Sequence, residues 1–140
     1  MENKFNLTRE QNVFIAGRNI VDYIWKSANL EGIRVTYQET QAIYDGGVVT
    51  GLTVDNIIAI NNLKYAWQFI LENTGIGYDY KMLCIHKLTC DKLVLDGNLG
   101  KIRTTPVNIG GTFWKPQFPI ESQIKEELGG LLNQPLKSKT

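Results

Sequence analysis

Apolar side chains early in the chain fall at Val13, Ala16, Ile20, Ile24 and Ala28, the three- and four-residue spacing that gathers them on one side of an α-helix. Phe14, Val21 and Trp25 widen the stripe, so a helix with one broad face for burial is predicted from Thr8 to about Asn29. Thr8 with Gln11 three residues on makes a capping box at its start, and Gly32 ends it. A second capping box, Thr36 with Glu39, opens a short helix that Gly46 and Gly47 close by allowing positive φ. Thr53 caps a third helix, from Val54 to about Glu72, with Ile57, Ile58, Leu63, Ala66, Trp67 and Ile70 as its apolar positions. After a loop over 73–77, a fourth helix is predicted from about Tyr80. Leu83, Ile85, Leu88 and Val94 populate its buried side, and Asp96, Gly97 and Asn98 break it.

The pattern changes beyond Leu99. Val107, Ile109, Gly110, Gly111, Thr112 and Phe113 mix β-favouring residues with glycines and keep no helical period, so a hairpin-like loop is predicted over 99–116. Pro119 suits the first turn of a last helix through Ile124 and Leu128, which Gly129 and Gly130 weaken by roughly 1 kcal/mol each relative to Ala. The tail from Pro135 to Thr140 is expected to fray. The expectation is a mainly α fold: one domain over 1–132 and a tail over 133–140, with no internal repeat or low-complexity segment.

Composition narrows the function classes. At 140 residues and 43% apolar, the chain has the size of one compact domain. Fifteen Lys and Arg against fourteen Asp and Glu give a formal charge of +1, which provides no long-range field for nucleic acid or anionic membranes. The run Val54 to Ile60 is interrupted by Asp55 and Asn56 and falls far below the ~20 residues needed to cross a bilayer. The N-terminus lacks the basic and apolar regions of a secretory signal, so the expected compartment is the cytoplasm, with thiols reduced. Cys84 and Cys90, six residues apart on a predicted helix, lie roughly 240° apart around its axis and read as small core or boundary residues.

Most catalytic schemes fail on inventory. The single histidine, His86, rules out multi-histidine metal sites and reads as a structural residue at a helix boundary. There is no phosphate-loop motif, no G-x-S-x-G elbow and no paired C-x-x-C. What remains is Ser27, Glu31 and Gly32 at the end of the first helix. Ser27 and Glu31 are one turn apart and emerge on the same face. A carboxylate at the negative end of a helix dipole is unfavourable by a few tenths of a kcal/mol to ~1, so either a cation elsewhere pairs with Glu31 or it is a solvated residue before a glycine cap.

Those three residues match all fixed positions of S/T-x-x-x-E-G/N, the inhibitory motif of the Fic family, which the chain resembles over roughly 7–132. Ile85, His86 and Leu88 resemble the family's I-H-x-L helix. Gly100, Ile102 and Arg103, followed by Val107, Ile109, Gly110 and Gly111, resemble its G-x-Y/I/L-R…V-x-I-G-G flap stretch. Pro116, Pro119 and the acidic helix bearing Glu126, Glu127 and Leu128 follow in the same order.

The resemblance implies a Fic-like helical bundle with an incomplete core, carrying an inhibitory helix at about 8–31 and a short β-hairpin flap at about 99–116. It implies AMP transfer from ATP to a protein hydroxyl, with magnesium assisting, in a complete family member. Glu31 would then reach an arginine of an active-site loop, and Ser27 would steady it. Val107, Asn108, Ile109, Gly110 and Gly111 would dock a target backbone by strand addition. The catalytic signature, H-x-F-x-D/E-G-N-G-R-x-x-R, is absent from these residues, the nearest match being Asp96-Gly97-Asn98-Leu99-Gly100.

No catalytic residue, metal site or cofactor is therefore assigned to this chain. Its expected part is regulation and target docking within a Fic-type adenylyltransferase. The alternative is a separate antitoxin-like protein that inhibits a Fic partner in trans, and an unrelated helical interaction module is a third reading. Expected partners are a protein target or a Fic-type protein. Self-association through uncovered apolar surface is also expected.

Overall fold

The computed structural model describes residues 5–73, 77–117 and 120–132, with the backbone alone at 78 and 79. Six α-helices follow one another: α1 (Arg9–Arg18), α2 (Ile20–Leu30), α3 (Tyr37–Tyr44), α4 (Val54–Glu72), α5 (Tyr78–Cys90) and α6 (Glu121–Leu132). A 3-10 turn, Asp96–Asn98, lies between α5 and α6. The fold is mainly α, and no strand is present among the described residues.

Local chemistry sets the helix starts. The Thr8 hydroxyl accepts from the Gln11 amide while the Gln11 side chain accepts from the Thr8 N–H, and Thr36 and Glu39 make the same reciprocal pair. At α4 the Thr53 hydroxyl accepts from the Asn56 amide at 3.2 Å. Helices α2 and α3 end alike, with a glycine in the left-handed region at Gly32 (φ 82°) and Gly46 (φ 83°). In each case the next amide reaches back across the turn: Ile33 to the Ala28 carbonyl at 3.0 Å, and Gly47 to the Ala42 carbonyl at 2.8 Å. These are Schellman endings, which satisfy carbonyls the helix leaves without partners.

The predicted first helix is divided. Asn19 (φ −103°, ψ 11°) interrupts it, and its amide is shared between the Ile15 and Ala16 carbonyls. Its carboxamide also donates to the Ile15 carbonyl at 2.9 Å. Gly17 and Asn19 are both weak helix formers, and a short amide side chain competes locally for backbone groups. The two halves differ in burial: α1 buries nothing and leaves Phe14 64% exposed, whereas α2 buries Ile20, Val21, Ile24 and Ala28.

The core joins α2, the 33–35 segment, α3 and α4 through Ile20, Val21, Ile24, Ala28, Ile33, Val35, Ile43 and Ile60. Trp25, Leu63, Trp67 and Leu71 pack against it half-buried. Tyr23 and Trp67 bring α2 and α4 together with ring centroids 5.1 Å apart. Lys64 ties α3 to α4, its ammonium 2.6 Å from the Tyr44 carbonyl and 4.7 Å from that ring's centre. Ile70, predicted to face inward, is exposed.

Helix α5 packs on α4 and α6 but contributes no fully buried residue among those described. It ends at Cys90, before Val94, and Lys92 stands at φ 59° just beyond it. Cys84 and Cys90 are free thiols.

The predicted hairpin over 99–116 does not form. That stretch is irregular, with a turn at Gly110 and Gly111, and strand pairing needs a second extended segment that is absent here among the described residues. Phe113 is fully exposed and Trp114 63% exposed. Pro119 and the 133–140 tail lie outside the described residues. Gly129 and Gly130 lie inside α6.

Candidate functional site

The end of α2 is held by side chains rather than by sequence-local bonds alone. Trp25 Nε1 donates to the Val35 carbonyl at 2.9 Å, and the Asn29 carboxamide donates to the Trp25 carbonyl at 2.9 Å and to Val35 at 3.2 Å. These bonds pin the chain leaving the helix against the helix itself. Ile33 and Val35 are thereby buried, while Leu30 is left 87% exposed.

Within this frame Ser27 is half-buried on the last turn, Glu31 is the exposed C-cap, and Gly32 makes the left-handed turn. The Glu31 amide donates to the Ser27 carbonyl at 3.1 Å, so backbone bonding links the two positions. Among the described residues, the Glu31 carboxylate has no ion-pair partner. Gly32 has a sufficient structural role, because a residue with a Cβ at φ 82° is strained. From the sequence Trp25 is only part of the apolar stripe and Asn29 only the helix end. Their partner Val35 lies beyond the helix, and no local spacing predicts that return.

A second place is built from α5, the segment after it and α6. A half-open cavity of about 610 Å³ is lined by Leu83 and His86 of α5, by residues from Val94 to Val107, and by Glu121 and Lys125 of α6. Its geometry depends on Gly100, whose amide donates to His86 Nδ1 at 3.1 Å. Gly100 has φ 62°, and a Cβ there would stand 3.0 Å from the Leu83 carbonyl oxygen and 3.1 Å from Lys87 Cβ. The loop therefore approaches α5 as closely as only glycine permits. His86, predicted at a helix boundary, lies inside α5 and anchors this loop. With Nδ1 accepting, the ring's proton in its neutral form resides on Nε2.

Of the flap residues, Val107 lines the cavity mouth, and Asn108, Ile109, Gly110 and Gly111 are exposed beyond it. The Arg103 guanidinium donates to the Thr105 carbonyl at 3.1 Å, which curls the loop just before them. Helices α2 and α5 each pack on α4 and not on each other. Among the described residues, no group of three or more His, Cys, Asp or Glu is arranged to hold a metal ion. No helix among them is long and apolar enough to cross a membrane. Comparison of the chain with known protein families, with characterised proteins and with solved structures finds no match.

Proposed function

We propose that this chain is the regulatory and target-docking part of a Fic-type protein adenylyltransferase, contributing an inhibitory glutamate and a target-binding loop rather than catalytic groups. The observation that carries the reading is Glu31: a carboxylate exposed at the end of a helix, without an ion-pair partner among the described residues, on a turn made rigid by Gly32, Trp25 and Asn29. An exposed carboxylate without an ion-pair partner among the described residues suits a charge-assisted contact with an arginine brought by an active-site loop. The exposed stretch from Val107 to Gly111 supports docking of an extended target segment, because it leaves main-chain groups without ladder partners.

ATP and magnesium belong to the complete transferase. Because the family's catalytic signature is absent from these residues, no chemical step is assigned to this chain.

The test uses an active Fic transferase from which the inhibitory helix has been removed. Adding this chain in excess should suppress transfer of labelled AMP, and the Glu31→Gly chain should suppress it at least tenfold less. Equal suppression by both chains removes Glu31 from the mechanism. Suppression that depends on Glu31 also favours the second reading, inhibition in trans, which rests on the same exposed carboxylate. The chain alone should incorporate no label.

A further inference from the structure

Of the cavity beside His86 only Val107 belongs to that reading, and the lining carries more cations than carboxylates. Side chains able to donate hydrogen bonds are numerous in it: those of Lys101, Arg103, Thr104, Thr105, Asn98 and His86. The one carboxylate in the lining, Glu121, already holds the Lys125 ammonium at 2.6 Å. Three cations against one carboxylate in the lining leave two positive charges unbalanced. The Arg103 contact with the Thr105 carbonyl uses one of five guanidinium N–H donors. The lining also has an apolar part, from Leu83, Val94, Ile102 and Val107, and the carboxamide-bearing Asn98. At about 610 Å³ the cavity falls in the range of small-ligand sites, roughly 300–1,000 Å³.

We propose that this cavity binds a phosphate-bearing group. A phosphate dianion matches the two unbalanced charges and supplies the acceptors that the donors lack, and the apolar wall receives whatever carries the phosphate. The anchoring of Gly100 on His86 Nδ1 serves the site directly, because it leaves Nε2 as the donor nitrogen of the neutral ring. The same chemistry could be presented by a phosphorylated side chain of a protein or by a free phosphorylated metabolite.

The chain has a single histidine, so the His86 imidazole resonances report on the site without ambiguity. Inorganic phosphate titrated at constant ionic strength should move them saturably. Sodium chloride at matched ionic strength should not. Lys101→Gln with Arg103→Gln should weaken half-saturation at least tenfold while the circular dichroism of the helices is unchanged. Should the double variant unfold, Lys101→Gln alone should weaken it by a smaller factor.

Equal shifts from chloride, or no change in the variants, would overturn the site. A phosphoserine peptide and a sugar phosphate separate the two sources, and one of them should bind at least tenfold tighter than inorganic phosphate. If neither does, the cavity takes an adventitious ion only and the proposal fails.

Discussion

The carboxamide of Asn62, only 4% exposed in the middle of α4, donates to the Asp91 carbonyl at 2.8 Å, just past the end of α5. The same nitrogen reaches the Thr89 carbonyl at 3.2 Å. One side chain thus satisfies two carbonyls at the C-terminal end of α5, where no glycine cap is available, and fixes where the chain departs toward the cavity. Replacing Asn62 by Ala should destabilise the protein by about 1–3 kcal/mol, since those carbonyls lose a buried donor. Urea unfolding measures this. A midpoint unchanged from the parent would show that water serves the carbonyls equally well.

The end of α2 permits a separation of stability from function. Gly32→Ala places a Cβ at φ 82° and should cost about 1–2 kcal/mol, whereas Glu31→Gly removes an exposed carboxylate and should stay within about 1 kcal/mol of the parent. Thermal unfolding of the two variants checks the contrast. If Glu31→Gly proved the more damaging, the carboxylate would have a structural partner.

Acid should loosen the start of α3. The Thr36 amide, then the Thr36 hydroxyl, donate to the Glu39 carboxylate, each at 2.8 Å, and lower its pKa from the ordinary 4.5. A carboxyl whose pKa falls on folding contributes stability that is present above the unfolded value of 4.5 and is lost as pH drops through the lower folded value. The melting temperature should therefore fall as pH is lowered from about 5 to 3, and Glu39→Gln should remove part of that slope. Superimposable curves for parent and variant would dismiss the assignment.

The loop latch is open to amide exchange. Gly100 N–H should be protected in the parent and exchange faster in His86→Ala, which deletes its acceptor. Gly100→Ala should perturb the loop more, because its Cβ meets the Leu83 carbonyl at 3.0 Å in a left-handed conformation. Protection unchanged in His86→Ala would mean that the close approach to α5 alone holds the loop.

Exposed apolar groups predict association. Leu30, Val48, Leu95, Phe113 and Trp114 are each more than half exposed. Sedimentation at rising concentration should show reversible growth in mass, and Phe113→Ser with Trp114→Ser should reduce it. A single species of monomer mass at every concentration would remove self-association.

Helix starts and stops were legible because they are settled within about six residues. The capping boxes Thr8 with Gln11 and Thr36 with Glu39, the Thr53 cap and the glycine endings at 32 and 46 stand where the chain chemistry places them. Position relative to the rest of the molecule was not legible in the same way. Val13 and Phe14 carry the same periodicity as Ile20 and Ile24, yet α1 touches α4 without meeting α3 and buries neither, whereas the α2 positions pack against both α3 and α4 and become buried. Asn62 carries no signal in the local pattern, and carbonyls 27 and 29 residues further along make it an interior group. The β-favouring stretch from Val107 to Phe113 remains without a strand because a ladder needs a partner, and β-propensity supplies none. His86 acquires its role from Gly100, 14 residues away and brought beside α5 by a turn that only the fold determines. The sequence by itself determined the helix caps at Thr8, Thr36 and Thr53 and the glycine endings at 32 and 46, through bonds between near neighbours. Tertiary packing decided which faces are covered and which side chains meet, because those depend on contacts that no local spacing encodes.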